Sequence, residues 1–531
     1  MYSIKYYLFD RIQQFLNDQK LSSKGVEVSR SPLKGFDYAT NILFIHKNID
    51  PHSLVDFFKS MQIVKDVQIN KGFINIALDR LNSVNLIFDS YLRDYWKSYD
   101  MGKGKRVLIE FVSANPTGPL NAVNGRSASF GFTLANVLKY FNYEVYKEYY
   151  VNDVGEQIEK LIDSFVERIK EARGIEFRIP EGGYTGAYLK DLANYYLKLY
   201  NGQNDFNRYQ LKEFLVNYFV DSHKKTLERF GVIFDNWFFQ SQLKEIETTI
   251  QWLKDKDLMY EKDGALFFRS TIFGDDKDRV VKKTVGRVEY TYFAYDIEYI
   301  RNKINRGFDE IITILGPDHH GYVNRLIAAT KAINDRFNHR VIILQIVNIL
   351  EKDKALKMSK RKGILVLLDE LMDKVNPFFL RYFFLSRLKD SPLDLDLELI
   401  NKLTLDNPLY YVFYVYARIC GVIRNYTGSL PQMEEIFSLN VDITDDEFEL
   451  FLVTQEFRDA VLSGMNDPYY LTLWASNFAK IFHRFYNSNK IICSNELGKD
   501  REKLRMILIL FSKGVLEIWA NLLNIQLPEK M

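Results

Sequence analysis

Between Arg106 and Tyr146 the chain runs through a short apolar stretch, a turn, a helix and a second apolar stretch, and nothing else in it restricts folding so tightly. Arg106 to Val112 (Val107-Leu108-Ile109 and Phe111-Val112 around Glu110) predicts a strand buried on both faces of a parallel sheet. Ser113 to Leu120 carries Pro116, Gly118 and Pro119, the punctuation of a tight turn. From Gly125-Arg126-Ser127 the spacing of Phe130, Leu134, Val137 and Leu138 predicts a helix to Tyr140, and Tyr143 to Tyr146 opens another strand. Such a unit belongs to an open α/β sheet, whose ligands lie beyond the carboxyl ends of the strands, against helix N-termini that favour phosphate.

Downstream, Lys357-Met358-Ser359-Lys360 continues as Arg361-Lys362-Gly363. Lys357 and Lys360 are compact charges on flexible stems, able to follow the β- and γ-phosphates of ATP as charge moves onto leaving pyrophosphate, and Ser359 adds a hydroxyl donor. Alone, the string fits a solvated basic surface equally well.

Taken together, these segments resemble the class I aminoacyl-tRNA synthetases, and within them the arginyl-tRNA synthetases. Glu110 to Leu120 is similar to the lead-in to the family's first signature, and Glu148 to Asp153, with Gly155 and Gln157, to the stretch after its second strand. Phe230-Gly231-Val232, Gly264-Ala265-Leu266, Asp275 to Arg279, Tyr292 to Asp296, Gly316 to Tyr322 and Lys357 to Gly363 follow in the family's order. The resemblance covers nearly the whole chain. It implies an α/β, Rossmann-like catalytic domain with a helical insertion, an N-terminal α+β module and a C-terminal all-α anticodon-binding bundle.

One departure stands out: the family's usual His-x-Gly-His reads Asn121-Ala122-Val123-Asn124, and no histidine lies between His52 and His223. An asparagine amide still donates N–H but carries no charge. By resemblance, Asn121, Val123, Asn124, Met358, Lys357 and Lys360 form the ATP site, with Lys357, Ser359, Lys360, Asn121 and Asn124 catalytic. The phosphate charge then falls to Lys357, Lys360, Arg126 or Mg²⁺. A retuned working enzyme is the favoured reading; the alternative is a non-catalytic tRNA-binding paralogue.

Arginine is a permanent cation with a planar fork of donors and needs paired acceptors. The resemblance assigns Glu110 and Asn115 to the substrate's backbone groups, Tyr292 and Asp296 to its guanidinium, and His319 to a further acceptor position. Helical spacing places Tyr292 and Asp296 on one face.

A length of 531 residues, 47% of them hydrophobic, allows several domains with sizeable cores. Cysteines are too few, at 2, for a disulfide framework or a zinc site, so no structural metal is expected. No signal core is evident, no run approaches the roughly 18 apolar residues of a membrane span, and the expectation is a cytoplasmic protein without membrane contact. Basic and acidic residues nearly cancel, 71 against 69, so an RNA surface must come from local patches.

The expected organisation is residues 1–100 as an N-terminal tRNA-contacting module, with a hairpin around Asn70-Lys71-Gly72; 101–375 as the catalytic domain, with a largely helical insertion over about 155–262; 376–400 as a junction; and 401–531 as the helical bundle. There, Tyr410, Tyr414, Arg418 and Tyr486 are candidates for stacking on unpaired anticodon bases. The implied substrates are L-arginine, ATP with Mg²⁺ and tRNA(Arg), with tRNA needed for activation, in a monomeric protein. A nucleotidyltransferase acting on another small molecule would leave the C-terminal bundle without a role.

Overall fold

The computed structural model describes residues 3–93, 100–200, 207–283, 289–351, 354–355, 366–492 and 498–531. It resolves into two compact units, one of residues 1–99 with 402–531 and one of residues 100–401.

The second unit is built on a five-stranded parallel sheet. Its spatial order is Asn338–Ile343, Glu310–Leu315, Arg106–Glu110, Glu144–Val151 and Asn236–Phe239. The chain leaves the central strand Arg106–Glu110 to build outward first on one side and later on the other, so a crevice opens beyond Glu110 where strand order reverses. Val107, Leu108 and Ile109 are fully buried, as a two-sided parallel strand requires. The strand ends at Glu110, short of the expected Val112, because Val112 and Ser113 take positive φ of 67° and 39° and turn the chain off the sheet.

The following helix spans Ala122–Tyr140, beginning before the expected Gly125. Asn121 is its N-cap, and Asn124 closes a reciprocal capping box, a start signal present in the sequence as Asn-x-x-Asn. Gly131 lets the helix lie against Phe111: a Cβ there would meet the ring at 2.3 Å. Helices Glu156–Ala172, Ala187–Leu199 and Arg208–Arg229 form the insertion. Within the stretch 155–262, expected to be largely helical, Asn236–Phe239 joins the parallel sheet beside Glu144–Val151 and a further helix, Ile246–Asp255, follows it.

In the first unit, Val64–Asn70 and Phe73–Leu78 form the expected hairpin, turning through Lys71 and Gly72 at φ 47° and 81°. The C-terminal helices are Pro408–Asn425, Asp445–Gln455, Phe457–Gly464, Tyr469–Ser488 and Lys499–Leu523. An 18-residue window of the last has a mean hydropathy of 1.7, enough by length and composition to cross a bilayer, and 67% of that window is buried inside the protein.

A polar seam joins the N-terminal module to these helices. Arg30 donates to Glu449 at 2.8 Å, the Ser3 hydroxyl donates to Asp459, and Tyr38 donates to Glu456 at 3.3 Å. Burial pushes the Asp459 carboxyl up to about 7, against about 3.9 for a free aspartate. A carboxyl raised in the folded state contributes stability that is complete below pH about 4 and is lost as pH rises through about 7. Asp459→Asn is therefore expected to raise the thermal midpoint more at pH 8 than at pH 5, by the equivalent of a few kcal/mol at most. Equal shifts at both pH values would show that Asp459 is already ionised in the folded protein.

Candidate active site

Glu110 is buried at the end of the central strand, where Lys303 donates to it at 2.5 Å and the Ser113 hydroxyl at 3.3 Å. Lys303 comes from the helix Tyr292–Asn305, which also carries Tyr292 and Asp296. Tyr292 is 47% exposed, and Asp296 accepts from the Tyr322 hydroxyl at 2.9 Å. Burial pushes Asp296 up to about 7, with the Tyr322 hydrogen bond opposing and the negative Glu110 reinforcing the shift. His319 is exposed on the short turn Pro317–Tyr322 and meets the Tyr322 ring edge-on at 6.0 Å. Asn115, on the loop beyond Glu110, donates to Gln157 at 2.6 Å.

Three further polar groups lie near these residues and are not among the site candidates the sequence offers: Ser113, Asp153 and Tyr150. The Tyr150 hydroxyl is raised chiefly by burial and then by the negative charges of Asp296, Glu110 and Asp153, the last of which accepts from Ser241 N at 2.9 Å. Against them stand Lys303 and Arg325, the cations that bear on Asp296. The acid excess suits a cationic ligand, and the fork of a guanidinium matches paired acceptors. Asp153 lies in the motif following the second strand and was legible there as an acid at a strand's carboxyl end.

The second part of the crevice is the N-terminus of the Ala122–Tyr140 helix. Asn121 Oδ1 accepts from the amides of Val123 at 2.9 Å and Asn124 at 3.3 Å, and Asn124 Oδ1 accepts from the Asn121 amide at 2.9 Å. Backbone N–H groups can be met only by the carbonyl ends of these side chains, so each amide NH₂ is directed away from the box. Residues 366–368 run alongside: Ala122 N donates to Val366 O at 3.1 Å and Leu368 N to Leu120 O at 2.9 Å. Arg126, a candidate for phosphate charge, is 2% exposed and donates to the carbonyls of Gln345, Ile346, Leu388 and Ser391. Its guanidinium is committed to backbone acceptors, which removes it from the phosphate site. Lys357, Met358, Ser359 and Lys360 lie outside the described residues.

In the other unit the Arg418 guanidinium lies 4.4 Å from the Tyr414 ring centre and 4.6 Å from that of Tyr486. It donates to the Tyr414 hydroxyl at 3.0 Å and to Asn487 at 3.2 Å. Tyr414, Arg418 and Tyr486, with Arg424, Lys490 and Lys530, line a cavity of about 790 Å³. Tyr410 is half-buried on the same helix and does not line it.

Comparison with known proteins agrees with this architecture. A family model for the catalytic domain of class I (R) tRNA synthetases matches residues 89–377, and one for the DALR anticodon binding domain matches residues 412–531. An arginine–tRNA ligase of Listeria welshimeri is 36% identical over 527 residues, spanning 95% of this chain and 94% of that protein. One from Desulforamulus reducens is 34% identical over 530 residues, 95% and 93% of the two chains. The arginyl-tRNA synthetase of Thermus thermophilus shares the fold with a TM-score of 0.77 at 17% identity, over 99% of this chain and 100% of that one. Sheet order, crevice and catalytic-domain match together define a class I aminoacyl-tRNA synthetase. Within that class, the chain belongs to the arginine–tRNA ligase family.

Proposed function

We propose that the crevice activates L-arginine with MgATP and transfers it to the 3′ end of tRNA(Arg). The observation that carries this reading is the pairing of Glu110, at the end of the central strand, with Lys303 of the helix that also carries Asp296, next in the chain to a helix N-terminus capped by Asn121 and Asn124. Glu110 and Asn115 hold the substrate's backbone groups, while Tyr292, Asp296 and His319 face its guanidinium. The adenine lies over Val123, and Asn121 and Asn124 donate to phosphate. The positive charge comes from Mg²⁺ and from Lys357 and Lys360, beside Met358 and Ser359. The arginine carboxylate attacks the α-phosphorus in line, the bond to the β-phosphate oxygen breaks, and pyrophosphate leaves. The ribose hydroxyl of the tRNA end then attacks the acyl carbon and AMP departs. No covalent protein intermediate is needed; positioning and charge stabilisation supply the catalysis. The protein works as a cytoplasmic monomer.

Citrulline, which replaces the charged fork of arginine with a neutral urea, separates this pocket from a merely acidic surface. Charging of tRNA with arginine and at least about 10³-fold weaker charging with citrulline are expected, because buried acceptors would otherwise be left unpaired. Comparable charging of both would remove the acidic cluster from recognition.

Tyr410, Tyr414, Arg418 and Tyr486 are proposed to meet the anticodon arm by stacking and by phosphate attraction. Affinity for tRNA should then fall as salt rises, and Arg418→Ala should lower the log–log salt slope by about one. An unchanged slope in filter-binding measurements would mean that Arg418 touches no phosphate.

A further inference from the structure

The loop beyond the central strand holds an unfavourable backbone. Val112 is β-branched, and for such a residue a φ of 67° is a genuine outlier; Ser113 follows at 39°. Such conformations are unfavourable and persist only where their surroundings over-determine them. Part of that restraint is local: Ser127 Oγ accepts from Val112 N at 3.0 Å, and Ser113 Oγ accepts from Tyr150 N at 3.1 Å.

The rest comes largely from the helical insertion. Tyr188, on Ala187–Leu199, donates to Thr117 O at 2.8 Å. His223, on Arg208–Arg229, is 1% exposed, with Nε2 at 2.8 Å from Gly118 O and Nδ1 at 2.9 Å from the Tyr149 hydroxyl. The same hydroxyl accepts from Ala114 N at 3.1 Å and lies 3.0 Å from Ala114 O. A carbonyl only accepts, so Nε2 carries the hydrogen. Burial lowers the His223 pKa and keeps the ring neutral, leaving Nδ1 to accept from Tyr149. A directed chain results, from Ala114 N–H through the Tyr149 hydroxyl and the imidazole to the Gly118 carbonyl.

We propose that His223 and Tyr149 are positioning residues for arginine activation, clasping the loop 114–118 so that the strained turn at Val112-Ser113 presents Ser113 and Asn115 to the substrate. The proposal rests on the reading that this loop holds the arginine backbone groups. It gives the insertion a task in the chemistry: its helices Ala187–Leu199 and Arg208–Arg229 fasten successive carbonyls of a loop that the sheet alone would not keep in place.

The test is pyrophosphate exchange with tRNA present, measuring KM for arginine and for ATP separately in full-length variants. Leucine at 223 removes both hydrogen bonds, whereas glutamine can offer an N–H to Gly118 and an oxygen to Tyr149. His223→Leu is expected to raise KM for arginine about tenfold, with KM for ATP within about twofold, and His223→Gln should recover most of that loss. Tyr149→Phe removes only a hydroxyl, and should raise KM for arginine several-fold with the fold intact, which decides the matter should His223→Leu fail to fold. Wild-type arginine KM in Tyr149→Phe, or equal losses for arginine and ATP that follow thermal stability and are not rescued by glutamine, overturn the clasp. Asn115→Ala separates the two claims. If it raises KM for arginine while Tyr149→Phe does not, the clasp alone fails; if it leaves KM for arginine unchanged, the reading of the loop fails and the clasp with it.

Discussion

Asn124→Ala is expected to slow arginyl-adenylate formation by about 10²-fold while ATP binding in the ground state changes far less, the loss typical of one preorganised donor removed from developing charge. Two effects combine in that variant. The Asn121 amide loses the acceptor it holds at 2.9 Å, at a cost of about 1 kcal/mol for a broken cap. The amide NH₂ directed away from the box is lost as well. Asn124→Asp separates them, since it keeps an acceptor for the Asn121 N–H but replaces the donor with a negative charge beside the phosphates; it should be worse than alanine for turnover although better for the helix end. Single-turnover adenylation checks both. Rates for Asn124→Ala within about threefold of wild type would confine the box to holding the helix. The triple change Asn121→His, Val123→Gly and Asn124→His is expected to be neutral or harmful. The box fixes the geometry of amide-sized groups, and a misplacement of about 1 Å can cost about 10²-fold.

Asp296→Asn should raise KM for arginine about tenfold or more and leave KM for ATP nearly unchanged, because a charge-assisted contact to the guanidinium is worth about 1.5–3 kcal/mol. The pH dependence has a definite sign. Asp296 in the free protein is pushed up to about 7, so below that pH it is largely protonated and neutral. Bound arginine favours the carboxylate, and binding therefore releases a proton. Wild-type arginine affinity should weaken as pH falls from 8 to 6, while Asp296→Asn should show a flat profile. The same decline in both would assign it to another group.

Much of this architecture can be read from local pattern. The continuous apolar run at Val107-Leu108-Ile109 specifies a two-sided parallel strand, and Asn70-Lys71-Gly72 between alternating residues specifies a hairpin turn. Glu110 and Asp296 stand out in the sequence through the resemblance to the family's motifs, Glu110 for the substrate's backbone groups and Asp296 for its guanidinium. Less accessible is anything decided by partners far along the chain. Lys303 neutralises Glu110 across 193 residues. Arg126 looks like a phosphate cation from its place near a helix N-terminus, yet four backbone carbonyls from distant segments take its donors. The positive φ of Val112 runs against the preference of its own side chain, and a stretch rich in valine and phenylalanine reads as strand until the surrounding hydrogen bonds are known. Helix onset at Ala122 was recoverable: the Asn-x-x-Asn box is a local signal overshadowed by the apolar spacing that starts later.

The central claim is that a site with Asn121 and Asn124 in place of imidazoles still activates arginine. Arginine-dependent exchange of labelled pyrophosphate into ATP, run with and without tRNA(Arg), tests it most directly. Exchange that requires arginine and is strongest with tRNA present is the expected result. No exchange in either condition, from protein that still binds tRNA, would contradict the claim and leave a chain that keeps the fold and the RNA surface without the chemistry.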